Sequence, residues 1–162
     1  MEAQEIQELK EATDRLAIHE LIARYAWTFD EGDVEGFVNL FTEDGIFESN
    51  IFIGKSIKGR ETVRAFCQYM QQVFAKTKIQ IRHRLTNIVI DSLGGGKAKA
   101  RYYLLDVMSN PDDPTKTPYG GVVPFHATQG VYKSEMVKVN GKWLFSRVNV
   151  ISDNGTKVEY EI

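Results

Sequence analysis

From Ile79 onward the chain reads as a run of β segments, and before that point it is mostly helix-forming. That order constrains the fold more than any single motif. Ile79–Asp91, Lys97–Met108, Phe125–Val139 and Lys142–Ile151 are rich in β-branched and aromatic residues, as strands are. Leu93-Gly-Gly-Gly96 turns the first pair. Asn140-Gly141 suits a turn whose two central residues both need positive φ, so the last two segments are predicted to form a tight hairpin. Between the two pairs, Ser109 to Pro124 contains all 4 prolines and two adjacent glycines, which predicts a long loop and a candidate lid or subunit contact.

Glu2 to about Glu31 has neither proline nor glycine and is predicted to be one helix. Winding residues 16–31 at about 100° per residue gathers Ile18, Leu21, Ile22, Tyr25, Ala26 and Phe29 on one arc. Asp30 falls at the edge of that arc and can look into an apolar interior; Glu20, Arg24 and Glu31 fall on the far side. His19, at the border, reads as a surface residue. Gly32 closes the helix, and Asp33 caps a second over Val34–Phe41. Thr42 to Gly45 reads as a turn and Ile46 to Ile53 as a strand. A third helix follows Lys58-Gly-Arg-Glu61, with Val63, Phe66, Cys67, Met70, Val73 and Phe74 on its buried side. Helices first and antiparallel strands after give an α+β fold. One sheet that covers three helices should curve into a cone with an internal pocket.

The bulk numbers exclude classes rather than select one. The 162 residues suit a single domain, with a core over about 16–151, a helical extension over 1–15 and a tail over 152–162. Apolar content of 43% and charged content of 26% are those of a soluble globular protein. A net charge of −2 gives no electrostatic reason to expect nucleic acid or an anionic membrane. Cys67 stands alone, so it offers no intramolecular disulfide and reads as a buried structural thiol. No apolar run is long enough for a bilayer, the acidic N-terminus is not a secretory leader, and a cytoplasmic location is the default expectation.

The order α-α-β-α-β-β-β-β carries Arg24-Tyr25, Asp30-Glu-Gly-Asp33, Phe41-Thr-Glu-Asp44, Gly59-Arg-Glu61, the His83 strand and Gly141-Lys-Trp143. In that order and spacing, from about Leu16 to Ile151, the chain resembles the SnoaL-like group of the NTF2-like superfamily. It looks closest to the branch of scytalone dehydratase and bile-acid 7α-dehydratase. The resemblance implies a strongly curved antiparallel sheet wrapped around the helices. It also implies a Tyr and an Asp late in the first helix and a catalytic histidine on a strand lining the cone; Tyr25, Asp30 and His83 match. A second histidine on a later strand, as scytalone dehydratase has, can here only be His126. Tyr102, Tyr103 and Tyr119 are candidates for clamping substrate. The resemblance further implies a homodimer or homotrimer through the outer face of the sheet.

A carboxylate that holds an imidazole in one tautomer inside an apolar setting is a proton-transfer device. If Asp30 accepts a hydrogen bond from one ring nitrogen of His83, the other can act as a base and the imidazolium is stabilised. Tyr25 could donate to an oxyanion or leaving group, or simply pack in the core. Asn87 lies an even number of residues from His83 and would share its face of a regular strand, where it could orient substrate. Arg147 alternates with Trp143, Phe145 and Asn149; facing inward, it would need a carboxylate or an anionic substrate. Asp30, His83, His126 and Glu48 could be combined into a metal site, but no two histidines have ligand spacing, so neither metal nor cofactor is expected. The reading is a cofactor-independent lyase, dehydratase or isomerase acting on a hydroxylated aromatic or polycyclic small molecule. The alternative is a non-catalytic carrier, or a small subunit of a ring-hydroxylating dioxygenase-type complex.

Overall fold

The structure, a computed structural model, describes residues 2–50, 56–110, 112 and 124–153, with the side chains of 124–127 outside that description. It begins with α1 (Ala3–Asp30), whose first turn is capped by the Glu5 carboxylate accepting the Glu2 backbone N–H at 2.8 Å. Ile18, Leu21, Ile22, Tyr25, Ala26 and Phe29 are buried, the arc the helical wheel predicts. Gly32, at φ +74, turns the chain out of the helix, and the Asp33 carboxylate accepts the Gly36 N–H at 2.8 Å to start α2 (Val34–Val38).

α2 is shorter than predicted because β1 (Phe41–Ser49) begins where its last turn was expected. Phe41 is fully buried between the rings of Phe37 and Phe145, and this packing draws its backbone into the sheet. The predicted turn over 42–45 is therefore an irregular stretch of strand, marked by a register shift between Phe41 and Ile46. A short β2 (Ser56–Lys58) that the sequence did not announce pairs with β1. α3 (Arg60–Thr77) follows, burying Val63, Phe66, Cys67, Met70 and Phe74. Then come β3 (Gln80–Gly94), β4 (Lys97–Ser109), β5 (Pro124–Val139) and β6 (Lys142–Ser152). Asn140 and Gly141 both take positive φ, as the predicted hairpin requires. Of the predicted 109–124 loop, all but Ser109, Asn110, Asp112 and Pro124 lies outside the described residues, as does most of the 152–162 tail.

The six strands form one sheet in the order β2-β1-β6-β5-β4-β3. It is mixed, not antiparallel throughout: β1 runs parallel to β6, with Phe47 opposite Val148. No hairpin links these two strands, so turn chemistry does not dictate their direction; the shared core does. The inner face of β4 is read by strict alternation, with Ala98, Ala100, Tyr102, Leu104 and Asp106 buried. Thr128, Tyr132, Ser134 and Met136 do the same on β5. Bulges interrupt this regularity, and two of them bear on predicted site residues. Asn87 takes φ +55 where β3 shifts register between Thr86 and Val89, and in β6 Ser146 is the extra residue between Phe145, opposite Met136, and Arg147, opposite Glu135.

Candidate active site

Three elements place three titratable side chains together. Asp30 ends α1, His83 lies early in β3, and Asp106 sits directly opposite His83 on β4. Asp30 holds His83 at two points: one carboxylate oxygen accepts the His83 backbone N–H at 2.8 Å, the other lies 2.5 Å from Nδ1. Because an ionised carboxylate only accepts, Nδ1 carries the proton and Nε2 is left as the basic nitrogen. Nε2 faces Asp106 Oδ1 at 3.4 Å. That oxygen is buried and has no hydrogen-bond partner among the described residues. All three side chains are close to sealed, at 5–7% exposure. The rings of Phe29 and Tyr25 stand edge-on to the imidazole, at 5.4 and 6.2 Å between centroids.

Burial and charge act against each other in this cluster. Burial alone would push the His83 pKa down, but the carboxylates of Asp106 and Asp30 outweigh it and raise it above its ordinary value. Burial pushes Asp106 up to about 6, with the His83 charge partly offsetting this and the nearby Asp30 charge adding to it. A carboxyl so placed is part protonated near neutrality, which suits an acid–base role.

A line of buried hydroxyls extends from the cluster. Tyr25 OH lies 3.4 Å from Tyr132 OH, the Tyr132 ring stacks on Tyr102 at 5.1 Å, and Tyr102 OH pairs with Ser134 Oγ at 2.8 Å. Burial raises the pKa values of Tyr25 and Tyr132 well above the ordinary phenol, so both are hydrogen-bond donors, not phenolates. A cleft of about 420 Å³ reaches Asp30 between α1, α3 and β3, bounded by Gln71, Phe74, Lys78 and Ile81. Cys67 is buried and its thiol is pushed up to about 12, consistent with the structural role expected of it.

The remaining predicted site residues separate clearly. Tyr25 is in the core beside His83. Asn87 does not share His83's face: it occupies the β3 bulge and is exposed, because the bulge cancels the even spacing between them. Tyr103 is 57% exposed on the outer face, out of phase with its inward neighbours Tyr102 and Leu104. Arg147 also faces outward, pairing with both oxygens of Glu48 at 2.8 and 2.7 Å, since the extra residue at Ser146 reverses the phase of β6. Glu48 is thereby withdrawn from any grouping with His83. His126 pairs through its backbone with Met108, and its side chain, like all of Tyr119, lies outside the described residues.

Arg147→Ala is accordingly expected to leave turnover unchanged and to shift stability by no more than about 1 kcal/mol, the scale of a solvent-screened pair. Thermal melts of the variant check this.

Sequence reasoning missed Asp106 and Tyr132. The signal for Asp106 was present: it continues the set Ala98, Ala100, Tyr102, Leu104, whose alternating partners are Lys99, Arg101, Tyr103 and Leu105. A carboxylate in phase with an apolar face is an inward carboxylate.

Fold and site together define a class: an α+β protein of NTF2-like type, its sheet carrying a buried carboxylate–imidazole–carboxyl cluster. The chain belongs to the SnoaL-like domain family, whose model matches residues 10–149. It is similar to a solved cystatin-like-fold protein of unknown function from Nostoc punctiforme, with 27% identity over 90% of this chain and 95% of that one (TM-score 0.69). It is also similar to a variant of Rv3472 from Mycobacterium tuberculosis, of unknown function, with 27% identity over 89% of this chain and 74% of that one (TM-score 0.67). An NTF2-like protein from Novosphingobium aromaticivorans shares the fold at 22% identity, over 93% and 89% of the two chains (TM-score 0.69). Among curated proteins none matches the chain significantly. Among the described residues no helix is long and apolar enough to cross a membrane.

Proposed function

We propose that this protein is a cofactor-independent lyase, dehydratase or isomerase that works by proton transfer within the Asp30–His83–Asp106 cluster. One observation carries the reading: Asp30 fixes the imidazole through Nδ1, while Nε2 addresses Oδ1 of a second buried carboxyl, an oxygen with no hydrogen-bond partner among the described residues. In an elimination, His83 Nε2 takes the proton from a carbon next to a carbonyl or a phenol-conjugated centre. In the molecules that hold the shared proton on Asp106 rather than on His83, Asp106 delivers it to the leaving hydroxyl, which departs as water. The imidazolium, held by Asp30, then returns a proton to Asp106 across the 3.4 Å gap and resets both groups. In an isomerisation the same base returns the proton to a different carbon. Positioned proton transfer of this kind supplies about 10²–10⁴-fold, which is adequate for an activated substrate.

The substrate we infer is a hydroxylated aromatic or polycyclic small molecule. Phe29 and Tyr25 present ring edges around His83, and Tyr25 and Tyr132 supply neutral donors for a carbonyl or phenolate oxygen. The test is a mass-spectrometric screen in D₂O against hydroxylated aromatics, polyketide-like phenols, steroids and diaryl compounds. Loss of water or uptake of deuterium that disappears in His83→Ala is the expected result. Binding across the panel with no mass change in any compound would overturn the enzyme reading in favour of a carrier or a non-catalytic subunit.

A further inference from the structure

Asp30 grips His83 with both carboxylate oxygens, one on the backbone N–H at 2.8 Å and one on Nδ1 at 2.5 Å, and this double hold admits one orientation of the carboxylate. Asp30 is also the last residue of α1, so that orientation is only as fixed as the end of the helix. The helix closes by its own backbone. Asp33 N–H donates to Thr28 O at 2.8 Å and Gly32 N–H to Phe29 O at 3.2 Å, the pattern of a Schellman turn. Those bonds are internal to the turn and attach it to nothing else. From α3, Gln71 Nε2 donates to Phe29 O at 2.7 Å, shorter than the bond the same carbonyl receives from Gly32. A helix end already closed by its own backbone does not need this bond as a cap. What the bond adds is an attachment of the Asp30 turn to a second helix.

Gly32 is fitted to the same amide. Its φ of +74 already favours glycine, and a Cβ there would also stand 3.1 Å from Gln71 Oε1, tighter than ordinary van der Waals contact. The contact that β3 makes to this turn through a side chain is looser: Arg82 Nη1 reaches Asp30 O at 3.4 Å, while Nη2 pairs with the exposed Glu31 at 3.3 Å. That Gln71 is an uncharged donor matters as well. Helix C-termini commonly recruit Lys or Arg, yet the last turn of α1 has no basic residue. A cation beside the Asp30 carboxylate would compete with the imidazole for its charge, whereas an amide holds the turn and leaves that charge to His83. We propose, on the reading of Asp30 and His83 as the proton-transfer pair, that Gln71 is a positioning residue: it anchors the end of α1 to α3 so that Asp30 keeps its two-point hold on His83.

The groups that face His83 are the carboxylates of Asp30 from α1 and Asp106 from β4, with the neutral phenol of Tyr25 beside them. Gln71→Met changes none of these; it keeps the length of the side chain and removes the donor. Heteronuclear NMR of His83 in this variant should show the Nε2–H tautomer rising and the imidazole pKa falling toward its ordinary value. On a substrate from the D₂O screen, kcat should fall by about 10²-fold with KM little changed, the scale of a small misplacement of reacting groups. Gln71→Asn, one methylene short of Phe29 O, should give the same changes in milder form and serves where Gln71→Met does not fold. Trp143→Phe removes the Trp143–Asp14 bond and so loosens α1 far from Asp30; it should leave the His83 tautomer and titration as in the wild type. Lower melting temperatures in the Gln71 variants with an unaltered His83 tautomer and titration would make Gln71 a structural clamp only and overturn the proposal. Equal shifts in Trp143→Phe would overturn it too, since the pair would then answer to any loosening of the fold. The NMR measurements need no substrate, so an absence of turnover in the screen strikes the enzyme reading alone, and the tautomer and titration still decide what Gln71 does.

Discussion

Asp30→Asn should lower turnover on whatever substrate the screen identifies by about 10⁴-fold, the loss seen when the aspartate orienting a catalytic histidine is amidated. The side chain keeps its size and still accepts the His83 backbone N–H. What changes is the partner of Nδ1. An amide NH₂ there donates instead of accepting, so the ring proton moves to Nε2 and the basic nitrogen turns away from Asp106. The substitution also removes one of the two charges that raise the His83 pKa, so that value should fall. An NMR titration of His83 reads this directly and needs no substrate. An unmoved titration would mean that Asp30 does not control the imidazole.

The same cluster sets a pH dependence of folding. Asp106 and His83 both have folded-state pKa values raised above their ordinary ones, so the native state binds protons more tightly than the unfolded chain. For Asp106 that stabilisation is complete below an unfolded value near 3.8 and is lost as pH rises through about 6. For His83 it is complete below about 6.5 and is lost as pH rises through its higher folded value. The melting temperature should decline from pH 5 to pH 8, and Asp106→Asn should remove the lower part of that decline. A profile that rises over this window would contradict the raised values.

Phe37→Ala should cost about 3–5 kcal/mol, a large share of the 5–15 kcal/mol that a domain commonly has. Phe37 is fully buried on a helix of 5 residues that has little stability of its own. Its ring meets Tyr25 at 5.0 Å, Phe29 at 5.2 Å and Phe41 at 5.4 Å. Those contacts join the end of α1, which carries Asp30, to the start of β1. Truncation leaves a cavity under the helix that presents Asp30, and the rings around it are too large to collapse cheaply into the gap. Denaturant unfolding of the variant checks the magnitude. A loss below 1 kcal/mol would show that this cluster is not what fixes the end of α1.

How far the chain alone leads is clear from particular residues. The 3.6-residue period of α1 put Asp30 at the rim of the buried arc, because a helix locks each side chain's direction to its position. The alternation of β4 holds as far as Asp106, and the Asn140-Gly141 turn needed no tertiary context. Local geometry decides such features, and local geometry is written in adjacent residues. The misplacements of Asn87 and Arg147 have one cause. Each lies at or just after a bulge, and a single extra residue reverses a period of two without leaving a compositional mark. The β1–β6 pairing was likewise out of reach, since strands so far apart in sequence are joined by a common core and not by a turn. Asp30 with His83 was legible in the sequence; that His83 faces a second carboxyl was settled only when β3 and β4 came into register.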